Sequence, residues 1–283
     1  MDAAESRTLV MGVLNVTPDS FSDGGAHADE ASAIRHGLEL LAEGADFVDV
    51  GGESTRPGAE RISPQTERER VEGVVRALAG AGARVGIDTT RAKVARAACA
   101  AGAVLVNDIS GGSADAAMLP TVAELGVDFV VTHWRGPSNV MAQLTDYDDV
   151  VADVRREVSR QVDAALRAGI AAQRIIVDPG IGFAKTSEQN WAVLAGLDAL
   201  TGLGYRVLVG ASRKRFLGDL LADDAGPRPP DGREDATLAL TVLLAARGVW
   251  YVRTHRVRPQ RDAIAVVEKM VARPGRLRGQ EGR

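Results

Sequence analysis

The sequence predicts an α/β protein, a single closed (β/α)8 barrel of the TIM type, with its active site at the carboxyl ends of the strands. Three observations predict it. Eight short β-rich runs recur through the whole chain, stretches of helical periodicity separate them, and polar residues follow nearly every run.

The runs are Leu9 to Val16, Phe47 to Gly51, Val85 to Thr89, Val104 to Ile109, Phe129 to His133, Ile175 to Asp178, Val207 to Gly210 and Trp250 to His255. Most are apolar without polar alternation, the pattern of parallel strands buried on both faces. Helix-forming stretches lie between them, at Ala31 to Glu43, Gln65 to Ala79, Arg91 to Ala101, Val150 to Ala168, Glu188 to Leu200 and Asp235 to Arg247. Strand then helix, repeated, implies right-handed crossovers between parallel neighbours. A doubly wound open sheet is the competing arrangement, but it gathers its functional residues at one switch point, whereas here they are spread over the strand ends. Three segments stand outside the repeat: the polar connection Arg135 to Tyr147, the turn-rich Asp223 to Glu234, and a Gly/Arg-rich tail from Arg273 to Arg283, expected to be loose. None reads as an interdomain linker, so residues 1–283 are expected to form one domain with a core at about 9–270.

Composition sets the outer limits. At 45% hydrophobic and 25% charged, the chain has ample material for a core, and a formal charge of -4 argues against broad capture of nucleic acid. Any anion site must therefore be local. The start, Met1 to Thr8, is acidic and polar, and the longest uncharged apolar stretch, Ala236 to Ala246, is too short to span a bilayer, so a cytoplasmic protein with no membrane partner is expected. Cys99 is the only cysteine; it lies among alanines in a helical pattern and reads as packing.

The ends of the strands and the loops after them carry Asn15, Thr55, Arg56, Asp88, Asn107, His133, Asp178, Lys214, Arg253 and His255. Barrel closure sets the last strand beside the first, and the first beside the second. Arg253, His255, Asn15, Thr55 and Arg56 therefore share a sector suited to a phosphate or diphosphate, with Asn15 offering a neutral oxygen of the kind that Mg²⁺ accepts. Asp88, Asn107, Asp178 and Lys214 fall on the opposite arc. Carboxylates in a barrel mouth need donors, so an N–H-rich ligand such as an aminopyrimidine ring fits them; an internal Lys–Asp ion pair is the alternative. The Gly-rich turns at Asp49 to Gly52 and Asp178 to Phe183 lack the strand-GxGxxG-helix context of a dinucleotide site, and no phosphate-binding glycine loop ending in Lys-Ser/Thr is present.

Seven motifs in order then resemble one family: Met11 to Gly25 (MGVLNVTPDSFSDGG), Asp49 to Gly58 (DVGGESTRPG), Ile87-Asp88-Thr89, Asn107 to Ser110 (NDIS), Asp178 to Lys185 (DPGIGFAK), Gly210 to Arg215 (GASRKR) and Arg253-Thr254-His255. The chain resembles the dihydropteroate synthases, bacterial type, over about residues 9 to 270. The resemblance implies condensation of a 6-hydroxymethyl-dihydropterin diphosphate with 4-aminobenzoate through a carbocation, in folate biosynthesis. It implies that Asp88, Asn107, Asp178 and Lys214 hold the pterin, that Thr55, Arg56, Arg253 and His255 hold the diphosphate, with Mg²⁺ at Asn15, and that Phe183 is a further substrate-binding residue. Phe21, Pro57 and Ser212 would frame the aminobenzoate, and Asp23 would face developing positive charge. Asp23, Arg56, Lys214, Arg253 and His255 are the expected catalytic set. The resemblance also implies a homodimer and sensitivity to sulfonamides. Arg256 and Thr132 depart from the family pattern, at places where an acidic residue and a methionine are common. A pterin-dependent methyltransferase of similar fold would have no use for the diphosphate sector, and a non-catalytic binding barrel would not need both loop motifs.

Overall fold

A computed structural model describes residues 7–17, 25–53, 61–137 and 139–271, the side chains of 25–29 excepted. The expected tail lies outside the described residues. Eight strands alternate with helices: β1 (Leu9–Asn15), α1 (Gly25–Ala42), β2 (Phe47–Gly51), α2 (Pro64–Gly80), β3 (Val85–Asp88), α3 (Ala92–Ala100), β4 (Leu105–Asp108), α4 (Met118–Leu125), β5 (Asp128–Thr132), α5 (Val150–Arg167), β6 (Ile175–Asp178), α6 (Ser187–Ala195), α7 (Asp198–Thr201), β7 (Arg206–Val209), α8 (Arg215–Leu220), α9 (Glu234–Ala246), β8 (Tyr251–Thr254) and α10 (Val257–Val271). Each strand pairs in parallel with the next, and β8 pairs with β1, closing the barrel. The closed sheet is the expected one, and the open alternative is excluded.

Local chemistry starts the helices where the site needs them. Ser63 caps α2 by accepting from Thr66 N–H, and Asp149 caps α5 by accepting from Val151 and Ala152. Thr186 and Gln189 form a reciprocal capping box that begins α6 directly after the DPGIGFAK segment. The predicted helix Glu188 to Leu200 breaks at Gly196 into α6 and α7. Helices α4, α8 and α10 were not among the predicted ones. The first two are too short to display amphipathic periodicity, and Pro259, a breaker by composition, falls in the first turn of α10, where the missing N–H costs no intrahelical hydrogen bond. The Asp223 to Glu234 interruption does split the seventh crossover, with a small Asp223–Gly226 bridge and a 3₁₀ turn over Pro230–Arg233.

Strand alternation divides the core in two. Val10, Leu14, Val48, Val50, Ile87, Val106, Val131, Val177, Val209 and Val252 pack outward against the helices. Leu9, Met11, Phe47, Leu105, Val130, Ile176, Leu208 and Tyr251 fill the barrel interior as a separate cluster, with Phe47 and Tyr251 edge to face at 5.4 Å. Burying each such side chain contributes roughly 1.5–3 kcal/mol. Two residues further along the same strands, on the same face, the interior turns polar: Phe47 leads to Asp49, Leu105 to Asn107, Ile176 to Asp178 and Tyr251 to Arg253. The apolar cluster is the floor on which that layer rests. Among the described residues, no helix is long and apolar enough to cross a membrane.

Candidate active site

Asp49 organises the polar layer. It is fully buried, and its Oδ2 accepts from Asn107 Nδ2 at 2.8 Å and from Arg253 Nε at 2.7 Å. Arg253 Nη2 donates to Asp88 Oδ2 at 2.8 Å, so one guanidinium bridges carboxylates from two strands and keeps its Nη1 edge for other partners. Glycine at position 86 makes room for this: a Cβ there would stand 2.8 Å from Asp49 Oδ1. That Oδ1 is buried and has no hydrogen-bond partner among the described residues. The sequence placed Arg253 in one sector and Asp88 and Asn107 on the opposite arc; the fold joins all three.

The electrostatics follow from burial. Burial pushes Asp88 up to about 7; Arg253 opposes that rise while Asp49 adds to it. Asp178 is also raised by burial, with Lys214 pulling it back down. Burial brings Lys214 down to about 8 and Lys185 down to about 7, Asp178 favouring the charged form of each. For Arg253 burial opposes the charge, but Asp49 and Asp88 outweigh it and its pKa rises. Asp178 and Lys214 feel each other and Arg253, and Arg253 feels Asp178, so the ends of β6 and β8 and the loop after β7 deliver their charges to a common space. The Lys–Asp alternative is not what forms: Lys214 Nζ donates to Ile181 O and lies 4.5 Å from the centre of the Phe183 ring.

Asp178 is held by its own loop. The Gly180 amide donates to Asp178 Oδ1 at 2.7 Å, which leaves Oδ2 to a ligand. Gly180 adopts φ +64°, and a Cβ there would stand 2.4 Å from His133 O. Only glycine satisfies both conditions.

Asn15 and His255 line a second region, a cavity of about 710 Å³ between α1 and the start of α10, together with Arg213, Arg256, Arg258, His36 and Glu39. Ser212 and His255 are joined, Oγ to Nδ1, at 2.9 Å. Arg256 is an exposed part of this lining, whereas Thr132 is buried two residues beyond the interior Val130, in register with Asp178, so this second departure falls on the face that carries the polar layer. No group of three or more His, Cys, Asp or Glu able to cage a metal ion occurs among the described residues. A single neutral oxygen at Asn15, across from side-chain-free Gly51, fits a Mg²⁺ ion that takes its remaining ligands from phosphate and water.

Asp23, Thr55, Arg56, Phe21 and Pro57 lie outside the described residues. The stem of the 54–60 segment is described, and it is tied: Glu53 pairs with Arg91 at 2.6 Å, and Arg91 Nη2 donates to Ile62 O at 2.6 Å. Sequence reasoning gave no role to Asp49 or Lys185. The available signal was a charged residue at an interior position of an otherwise apolar strand for the first, and a lysine closing a glycine-rich loop for the second.

Comparison with known proteins agrees with this geometry. Residues 11–255 match the family described as pterin binding enzyme. The chain is 54% identical over 260 residues to the dihydropteroate synthase of Mycobacterium leprae, covering 91% of this chain and 92% of that protein. It is 40% identical to that of Bacillus subtilis, over 96% and 91% of the two chains. Among solved structures, Xanthomonas albilineans dihydropteroate synthase with 4-aminobenzoic acid superposes with a TM-score of 0.88 at 41% identity, covering 95% of each chain. The same enzyme with 7,8-dihydropteroate gives 0.85 at 39%, covering 95% and 96%, and a Yersinia pestis dihydropteroate synthase with a sulfonamide drug gives 0.87 at 38%, covering 94% and 95%. The chain belongs to the pterin-binding enzymes, in the dihydropteroate synthase family.

Proposed function

We propose that this protein is a transferase that condenses 6-hydroxymethyl-7,8-dihydropterin diphosphate with 4-aminobenzoate, yielding 7,8-dihydropteroate and diphosphate for folate biosynthesis. The observation that carries the reading is the buried layer in which Asp178, Asp88, Asn107, Lys214 and Arg253 converge, bordered by the basic cavity of Asn15 and His255. Ligands named with the solved relatives support the same substrates.

In this reading Asp178 Oδ2 accepts from the amino edge of the pterin, Asn107 and Asp88 read the adjoining ring atoms, and Lys214 exchanges Ile181 O for a ring acceptor beside Phe183. Arg253 offers its Nη1 edge to the diphosphate with His255, Thr55 and Arg56. Mg²⁺ held at Asn15 supplies neutralisation of the phosphate charge when bound. The methylene C–O bond breaks, its electron pair leaves with diphosphate, and a carbocation stays on the pterin methylene. The aromatic amine, framed by Phe21, Pro57 and Ser212, donates its lone pair to that carbon and then loses a proton. Asp23 faces the transient positive charge. The acidic layer has a second use here, because carboxylates under the pterin favour its cation over the uncharged ring of the bound diphosphate ester.

A coupled assay that measures diphosphate release with both substrates tests the reading; binding of pterin without turnover would replace it with a non-catalytic barrel. Sulfonamides are expected to compete with 4-aminobenzoate at saturating pterin diphosphate, and insensitivity would contradict the assigned aminobenzoate subsite. The same reading makes the protein a cytoplasmic homodimer. Leu243 of α9 and Val266 and Met270 of α10, all more than half exposed on neighbouring helices, support a self-association face.

A further inference from the structure

His133 directly follows β5, is completely buried, and has no part in the reaction just described. Its two ring nitrogens have different partners. Nε2 lies 2.9 Å from Glu157 Oε2 on α5, and Nδ1 lies 2.9 Å from Lys185 Nζ. Glu157 also receives the Arg135 fork; burial alone would raise its carboxyl, but the His133 and Arg135 hydrogen bonds bring it down to about 2. It is therefore an acceptor. Burial pulls His133 down to about 4, so the ring is neutral near pH 7 and carries its one proton on Nε2, facing Glu157. Nδ1 is then an acceptor too.

That polarity fixes what Lys185 does. Its Nζ has three acceptors, His133 Nδ1 at 2.9 Å, Gly180 O at 3.1 Å and Phe183 O at 3.1 Å; the ammonium, which burial restricts to about pH 7 and below, has a proton for each, and the neutral amine has protons for two. Two of the three are carbonyls of the loop that carries Asp178. Between them, Ile181 O accepts from Lys214. The loop is thus gripped by Lys185 through the carbonyls on either side of the one used by Lys214, and the amide of Gly180, whose carbonyl Lys185 holds, is the group that orients Asp178.

We propose that Lys185 is a positioning residue for pterin recognition, which Glu157 and His133 hold in place so that the Gly180 amide keeps Asp178 Oδ2 turned to the pterin amino edge. Lys185 directs its Nζ to protein acceptors and acts through them. The inference rests on the pterin reading of the site and deepens it: affinity for the pterin depends on a chain of contacts beginning on α5, outside the barrel.

The test measures binding of 6-hydroxymethylpterin by its fluorescence, together with steady-state kinetics. Lys185→Met, which keeps the length and removes the donors, is expected to weaken pterin binding at least tenfold and to raise KM for pterin diphosphate by a similar factor. KM for 4-aminobenzoate should stay within twofold. Should that variant fail to fold, two substitutions of His133 decide. His133→Asn places an amide oxygen near the position of Nδ1 and is expected to bind the pterin within threefold of wild type; His133→Leu removes the acceptor and is expected to lose at least tenfold. Unchanged pterin affinity in Lys185→Met, equal losses in both KM values, or equal losses in the two His133 variants would overturn the proposal while leaving the functional reading intact. A wild-type protein that binds no pterin would remove both.

Discussion

Arg253 gives Nε to Asp49 and Nη2 to Asp88, so replacing it has two consequences. Arg253→Ala removes a charge-assisted donor from the phosphate and strands two buried carboxylates. Affinity for inorganic diphosphate, read by calorimetry, is expected to fall by about 2–3 kcal/mol, and Arg253→Lys should recover little because a point charge cannot span both carboxylates. Unchanged affinity would remove Arg253 from the diphosphate site. His133 makes a pH prediction. Its pKa is lowered from 6.5 to about 4, so the stability that its neutral form contributes is present above pH 6.5 and is lost as pH falls toward 4. At most this amounts to about 3 kcal/mol. Asp88 acts in the opposite sense: its pKa is raised from 3.8 to about 7, so its contribution is present at low pH and fades as pH rises through 7. The difference between wild type and His133→Asn isolates the histidine. In urea titrations from pH 7.5 to 4.5, wild type should lose more stability than the variant, and parallel curves would show that His133 does not titrate as a buried neutral ring.

At the scale of elements, the loop between β6 and α6 is the most constrained connection around the site. It begins with the Asp178–Gly180 contact, runs through Gly180 and Gly182 at positive φ and Ala184 at φ +48°, and ends in the Thr186 capping box. Gly180→Ala meets both a left-handed backbone and a 2.4 Å approach to His133 O, while Gly204→Ala, at φ +82°, meets no atom within 4 Å. The control should cost about 1–2 kcal/mol of strain alone, and Gly180→Ala measurably more, with weakened pterin binding. Equal urea midpoints would show that the loop yields. The sequence located this loop from DPGIGFAK and located every strand to within about a residue, because both faces of each are apolar. That same uniformity concealed Asp49. In Phe47–Gly51 nothing local tells which residues face inward, and the identity of the partner, Arg253, lies 204 residues away.

For the whole molecule, closure is what turns scattered polar residues into a site. β1 pairs with both β2 and β8, so the two ends of the chain meet at Asp49 and Arg253. The outer surface carries a separate expectation. If α9 and α10 form the homodimer face, light scattering after gel filtration should give about twice the 29.7 kDa chain mass for wild type, and a Leu243→Arg/Met270→Glu variant should run as a monomer with its fold retained. A monomeric wild type would place the exposed side chains outside any such face.

By itself the sequence determined the number and order of the strands, their alternation with helices, the end of the barrel where chemistry resides, and the family to which its motifs conform, since periodicity, turn chemistry and motifs are written locally along the chain. Only the tertiary structure decided which charges share a cation, which oxygen of Asp178 is already engaged, and that His133 and Lys185 brace its loop. Hydrogen bonds and ion pairs act over a few ångströms, and those distances exist only once the barrel has closed.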